Sequence, residues 1–475
     1  MYIRNKNRLG FDHGRTLLAP VLTLIMSIGL GFPLSLAASS PPEPETYTFT
    51  SSRGLKLKIL KSNQIPFIHA QLVIYYKEKP KNPAVPYLTM MNLFDKNVKE
   101  ADTPVLSALK KLGNDFEVEH RPDFLILKVN FLADKQLAFI RFLKALYAYK
   151  PFQDFNSPTN SFNDQKKQIS TRDRFKDSID NYWNYFFKQE NWKDQIAFQI
   201  AYHHFFPNTM MGEVLVTPKE LKSVQLEHLL SFYEETYQLS NSLLVLKGNI
   251  ENPAIFFGHI ERTFPSSKKI PPLQHNPEKL TLDAPKKILI FNAENGESPA
   301  MYWFEAVAFS DKENPVSSLV LNNILFADLT GRLFINARFF NISYPRMNTE
   351  MTNHSQVSII CNYIRLRYDE VGKFLMLVDK ERKKLPIKEV ERREYLNTLS
   401  NIYQSLKVNT QNFENDINFE IMDTESYTKK VTLAALNQST ADSNHVVIVI
   451  VGSARLLLPQ LEPFRSSVGV IDFNL

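Results

Sequence analysis

Asn82-Pro83-Ala84-Val85-Pro86-Tyr87-Leu88-Thr89-Met90-Met91-Asn92-Leu93-Phe94 is the stretch on which the fold turns. Asn-Pro opens a helix: the amide can cap free N–H groups, and proline fits the first turn because the N–H it lacks has no helical partner there. The helix is predicted to run to Leu93-Phe94. The same opening returns at Asn314-Pro315, and its helix reaches Leu325-Phe326. Start and end both recur after 232 residues, from 82 to 314 and from 93 to 325. Each half also closes on a strand, a glycine and a helix. These are 242–247, Gly248 and 253–264, then 446–451, Gly452 and 456–464. Shared order at a shared period predicts a duplicated α+β unit.

Working outward, residues 47–50, 54–60, 68–76 and 124–131 show the alternation of strands. Helices are predicted over 103–112, ending at Gly113, over 134–149, through much of 158–202, and over 218–237. The second half supplies strands at 287–291 and 302–309. Five prolines between 265 and 285 mark that stretch as the linker. The expected organisation is a leader (1–37), a spacer (38–45), a first half (46–264), a linker (265–285) and a second half (286–475).

The chain has 475 residues, 44% of them hydrophobic, with 35 Phe and 19 Tyr, which is ample for two packed cores. Net charge is +6, of which +3 comes from the leader: Arg4, Lys6, Arg8 and Arg15 against Asp12. The remainder forms no basic stripe, so nucleic acid is not an expected partner. A basic start, an apolar run over 17–36 and Ser35-Leu36-Ala37 or Leu36-Ala37-Ala38 make a secretory signal pattern. An uncleaved anchor is the alternative, but Pro20, Gly29, Gly31 and Pro33 interrupt the run. Cys361 is the only cysteine, so neither a disulfide framework nor a cysteine zinc site can form. The expected location is periplasmic or secreted, with no membrane association once the signal is cleaved.

Two such halves resemble the insulinase/pitrilysin metallopeptidases, including the mitochondrial processing peptidase subunits. The likeness rests on residues 218–264, on Thr330-Gly331-Arg332-Leu333-Phe334 with Ala337-Arg338, and on residues 445–464. It implies two homologous halves, each a mainly antiparallel sheet with helices packed on one face. The family's zinc motif is H-x-x-E-H. Residues four apart share a helix face, so two His bind one zinc while the Glu activates its water. In the register of residues 84–94 those positions are Tyr87, Met90 and Met91, and 76–94 contains no His. The downstream Glu ligand is missing too, because 162–175 offers only Asp164 and Asp173. No metal site is expected, zinc is predicted absent, and the chain reads as a pseudopeptidase.

The resemblance implies substrate-gripping roles for Arg338 and Tyr344, since a guanidinium and a phenol can hold a peptide carbonyl. The spacing departs from the family, with Tyr six residues after Arg rather than seven, and Asn341-Ile342-Ser343 replaces its glycine-containing turn. Arg332 is read as structural. Other polar clusters are read as bland: His228 as a surface helix residue, His203-His204 as badly placed to share a metal, Glu117, Glu119 and His120 as solvated edge charges, and Cys361 as a core thiol. The resemblance also implies partners, namely a zinc-bearing subunit and an unfolded peptide. A structural or peptide-holding scaffold without a peptidase partner is the competing expectation.

Overall fold

In the computed structural model the described residues are 2–4, 45–62, 66–78, 80, 82–94, 103–113, 115–148, 171–189, 191–273, 282, 286–293, 298–308, 315–343, 345–353, 357–384, 387–397 and 445–473. The leader from residue 5 onward therefore lies outside them. Among the described residues no helix is long and apolar enough to cross a membrane.

The first half is built on β1 (Tyr2–Arg4), β2 (Glu45–Thr50), β3 (Lys56–Lys61), β4 (Phe67–Tyr75), β5 (Phe116–His120), β6 (Phe124–Leu132) and β7 (Ser242–Gly248). They form one sheet in the order β1-β5-β6-β4-β7-β3-β2. Pairing is antiparallel except for β3 with β7. The second half uses β8 (Lys287–Asn292), β9 (Ala300–Ala308), β10 (Arg346–Asn353), β11 (Val357–Arg365), β12 (Val446–Gly452) and β13 (Val468–Ile471), in the order β10-β11-β9-β12-β8-β13. Setting β1 aside, the two orders correspond strand for strand, and β8 with β12 repeats the parallel pair. Phe67 pairs with Leu132 and Ala300 with Arg365, both members displaced by 233 residues. The expected two-halved α+β fold is present. The outermost strands differ: β2 runs antiparallel to its neighbour, whereas β13 runs parallel and comes from the end of the chain.

The decisive stretch forms α1 (Ala84–Phe94). Asn82 Oδ1 accepts from the Ala84 N–H at 2.8 Å, the capping that its position suggested. Every α1 residue but Asn92 is buried, because the helix lies on the sheet and is covered in turn by α4 (Thr171–Asp180) and α8 (Leu226–Thr236). Next to it, α2 (Pro104–Leu112) is capped by Thr103 and ends at Gly113, whose φ of 135° suits only glycine. Its neighbour is α3 (Gln136–Ala148), which also meets α9 (Pro253–Thr263), while α5 (Tyr182–Phe187) follows α4 and α11 (Arg332–Ala337) lies in the second half. The single helix expected over 218–237 is instead two, α7 (Pro218–Ser223) and α8. The break comes where Val224 takes an extended ψ of 137° and inserts its side chain into the core. The closing helix expected over 456–464 is a four-residue turn, Ala454–Leu457, followed by a 3-10 run, Leu458–Ser467. Pro459 and Pro463 withhold the N–H groups that a longer α-helix needs.

The second sheet carries α10 (Pro315–Phe326) and α12 (Val371–Lys383) on one face. Its other face receives α6 (Trp192–Phe205) from the first half. Most of that helix is buried between the two halves, including the amides of Gln195 and Gln199, while Asp194 and His203 stay exposed. Phe198 meets Phe304 edge-on at 5.0 Å, and one continuous apolar core runs from the first sheet to the inner face of the second. The described start of the linker lies along the first half, where Ile270 and Leu273 donate backbone hydrogen bonds to Ser52 and Ser240.

Candidate functional site

A cavity of about 780 Å³ opens at the seam between the halves. Its floor is the inner face of the second sheet, where Asn348, Glu350 and Thr352 alternate along β10 beside Cys361 and Tyr363 of β11 and Tyr302 of β9. Its walls are α6, from Trp192 to Tyr202, and the β5–β6 turn. Tyr87 of α1 closes the inner end.

Tyr87 is 3% exposed, and its ring lies 4.0 Å from that of His120. Its hydroxyl accepts from Gln199 Nε2 at 3.1 Å, while Gln199 Oε1 accepts from the Val216 N–H at 3.4 Å. Burial pushes the phenol pKa up, so the hydroxyl stays protonated. Met90 and Met91 are 0% exposed. These three residues do not fit zinc: a neutral phenol already committed to Gln199 and two soft thioethers inside the core replace two imidazoles and a carboxylate. Of the stretch expected to lack the downstream Glu, 162–170 lies outside the described residues. The remainder belongs to α4, which meets α1 through Asn92 and Ser178 at 3.3 Å. Among the described residues no three His, Cys, Asp or Glu side chains group so as to hold a metal ion.

One reading from the sequence needs correction. Glu119 and His120 are not solvated edge charges. Glu119 is 1% exposed and ion-pairs with Arg121 and, at 3.5 Å, with Lys128. His120 is buried against Tyr87 and Tyr76, and burial, with Arg121's charge adding, holds its pKa well below the ordinary value and keeps the ring neutral. The period-2 pattern was visible, but the enclosing α1 and α6 come from distant sequence.

Three carboxylates line the cavity: Glu119, committed to Arg121 and Lys128, and two more, one from each half. Asp194 on α6 accepts from the Tyr302 hydroxyl at 2.6 Å, a hydrogen bond across the seam. Glu350 accepts from Asn348 Nδ2 at 3.4 Å. Solvent reaches both through the cavity, yet protein rings them. That partial loss of water raises the pKa of each, the charge of Asp194 adding for Glu350. Nearby, Gln195 donates from Nε2 to Gln189 at 2.9 Å and Asn191 at 2.8 Å. Cys361 lies in the floor with its thiol pKa pushed up by burial, in keeping with a core thiol.

Arg338 stands exposed on the turn Arg338–Phe340, its guanidinium 5.0 Å from the Phe339 ring, and does not line the cavity. Tyr344 lies outside the described residues. Arg332 is structural, as expected: it grips Glu391 with two 2.8 Å hydrogen bonds and donates to the Lys384 carbonyl at 3.0 Å. His228 caps its own helix by accepting from the Gln225 N–H, and His203 lies 3.0 Å from the Gly212 carbonyl. Sequence reasoning missed Asp194, Gln195, Gln199, Tyr302 and Glu350. The signal for the glutamines was there: two amides one turn apart on an apolar helix.

Comparison with known proteins gives the fold a name. The peptidase M16 inactive domain from Pseudomonas fluorescens superposes with a TM-score of 0.60 at 14% identity, over 86% of this chain and 98% of that one. An M16-like peptidase from Alicyclobacillus acidocaldarius matches with a TM-score of 0.63 at 13% identity, over 90% and 100%. The chain carries the M16 peptidase fold. The periplasmic protease PqqL from Escherichia coli shares it as well, with a TM-score of 0.60 at 12% identity over 89% of this chain, which spans 49% of that protein. No protein-family model and no curated protein matches the sequence. The first helix of the first half is the one on which the resemblance to the insulinase/pitrilysin peptidases places the zinc motif. Here that helix offers Tyr87, Met90 and Met91.

Proposed function

We propose that this chain is an exported pseudopeptidase, a non-catalytic subunit that helps a zinc-bearing M16 partner hold peptide. One observation carries the reading: an M16 fold whose motif helix has phenol and thioether in place of imidazole and carboxylate. The similarity to an M16 domain described as inactive supports the loss of catalysis. Export is supported by the basic and apolar leader, and by a fold shared with a protease described as periplasmic. The peptide-holding part is supported by the cavity between the halves, which offers a ligand an aromatic wall and accessible polar groups.

Affinity capture of the tagged chain from its native cell envelope tests the proposal. Recovery of an M16 homologue with an intact H-x-x-E-H motif is the expected result. Capture with no such homologue, in a complex of non-peptidase proteins, would assign the chain to the scaffold role instead.

A further inference from the structure

The helical layer of the second half leaves large apolar side chains in water. α11 leads straight into the turn Arg338–Phe340, and both lie against α12. Ile335 and Phe339, one turn apart, are 50% and 69% exposed, and Met376 of α12 is 44% exposed. The turn meets α12 where the Lys380 ammonium lies 5.0 Å from the Phe340 ring, and Met376 stands one turn before Lys380 on the same helix face. None of these residues lines the seam cavity. Exposed apolar groups gathered in this way, unlike single ones, mark a surface that something covers.

The charge around them has one sign. Lys373, Met376, Lys380 and Lys383 recur at three- and four-residue spacing down α12, and Arg338 holds its guanidinium 5.0 Å from the Phe339 ring. Arg338, Lys373, Lys380 and Lys383 have no ion pair among the described residues. Nearby carboxylates are committed: Asp379 to Lys286 at 3.1 Å, Glu381 to Lys384 at 2.6 Å and Glu391 to Arg332 at 2.8 Å. A second copy set against this face across a twofold axis would bring like charges together. The occupant must carry negative charge and take up apolar side chains.

We infer that this face docks on an anionic lipid surface. Ile335, Phe339 and Met376, on an exposed turn and helix face, enter the boundary between headgroups and acyl chains, while the neighbouring lysines and Arg338 meet the phosphates. Cation and ring already stand together in Arg338–Phe339 and Lys380–Phe340, so charge flanks the inserted groups. The contact is peripheral, since among the described residues no helix is long and apolar enough to cross a membrane. The expectation of no membrane association came from the sequence, where apolar residues spread from 335 to 376 leave no continuous run. This face shares nothing with the motif helix or the seam cavity, and docking there goes beyond the pseudopeptidase reading.

The test is co-sedimentation of the exported chain with sucrose-loaded vesicles of phosphatidylcholine, with or without phosphatidylglycerol as about a third of the lipid. Any leader is common to parent and variants, so the difference between them is the readout. Binding to the anionic vesicles is expected to be at least about tenfold tighter in about 0.1 M salt and to fall towards the neutral level in about 0.5 M. Ile335→Ser with Phe339→Ser, and Lys380→Gln with Lys383→Gln, are each expected to weaken it about tenfold. Lys219→Gln with Lys222→Gln, the same charge removed from exposed positions of α7, is expected to leave it unchanged. Far-ultraviolet circular dichroism checks that each variant is folded. Equal binding to both vesicles, no binding, or an equal loss in the α7 variant would overturn the inference. Absence of vesicle binding, together with loss of M16 homologue capture in the Ile335 and Phe339 variant, would give the face to a protein partner instead.

Discussion

The two halves share a backbone plan but are stabilised by opposite chemistry at the same places. Leu72 of β4, Val129 of β6 and Met90 of α1 all belong to the apolar core of the first half. Their counterparts, displaced by 233, 233 and 232 residues, are Glu305, Asn362 and Asn322, all buried. Glu305 accepts from Asn322 at 3.3 Å and lies 3.5 Å from the Arg382 guanidinium, which packs on Trp303. Asn322 accepts from Asn362 at 2.7 Å, which accepts from Thr349 at 2.7 Å. The fold thus specifies where side chains meet but not what they are. A polar layer is tolerated only when each member finds a partner.

The largest test exchanges that chemistry. Glu305→Ala leaves the Arg382 guanidinium without its carboxylate and is expected to cost about 4 kcal/mol of unfolding free energy. The pair Glu305→Leu with Arg382→Met makes the layer resemble that of the first half and should recover most of the loss. Urea unfolding followed by Trp303 fluorescence measures both. If the double variant is no better than the single one, the network is not replaceable and the halves are not equivalent. The converse exchange, Met90→Asn, buries an amide with no network to receive it and is expected to cost about 3 kcal/mol by the same measurement. A neutral result would show a hidden partner in the first half.

Smaller effects are expected at the seam. Tyr302→Phe removes the hydrogen bond to Asp194 and should cost about 1 kcal/mol, without changing far-ultraviolet circular dichroism. The smallest effect depends on pH. The Glu350 pKa is raised in the folded chain, so between its ordinary value and the raised one the folded state binds more protons than the unfolded state. Its ionised carboxylate therefore weakens the fold at neutral pH, a penalty relieved as pH falls. Glu350→Gln is expected to melt slightly higher than the parent at pH 7 and to lose that advantage in acid. A variant with the opposite trend would mean that Glu350 has a cationic partner already.

Much of the fold was legible because it depends on local signals that occur twice. Asn82-Pro83 and Asn314-Pro315 announced matching helices, and Gly248 and Gly452 ended matching strands. The break at Val224 was not legible, because apolar residues continue through it and only packing decides that the chain must turn. The assignment of the motif positions to Tyr87, Met90 and Met91 rests on the register of the flanking residues, and the structure places all three in α1. Its surroundings were not. The Tyr87 hydroxyl is bonded to Gln199, 112 residues away, and Asp194 to Tyr302, 108 residues away. Contacts of that length leave no periodic trace. Glu119 and His120 were misjudged for the same reason, because what buries them lies on other elements.

Loss of zinc chemistry at α1 is the proposal on which the functional reading depends. Elemental analysis of the full-length chain, purified without chelators and dialysed against zinc-containing buffer, tests it most directly. No stoichiometric zinc is expected, and one equivalent of tightly bound zinc per chain would overturn the pseudopeptidase reading.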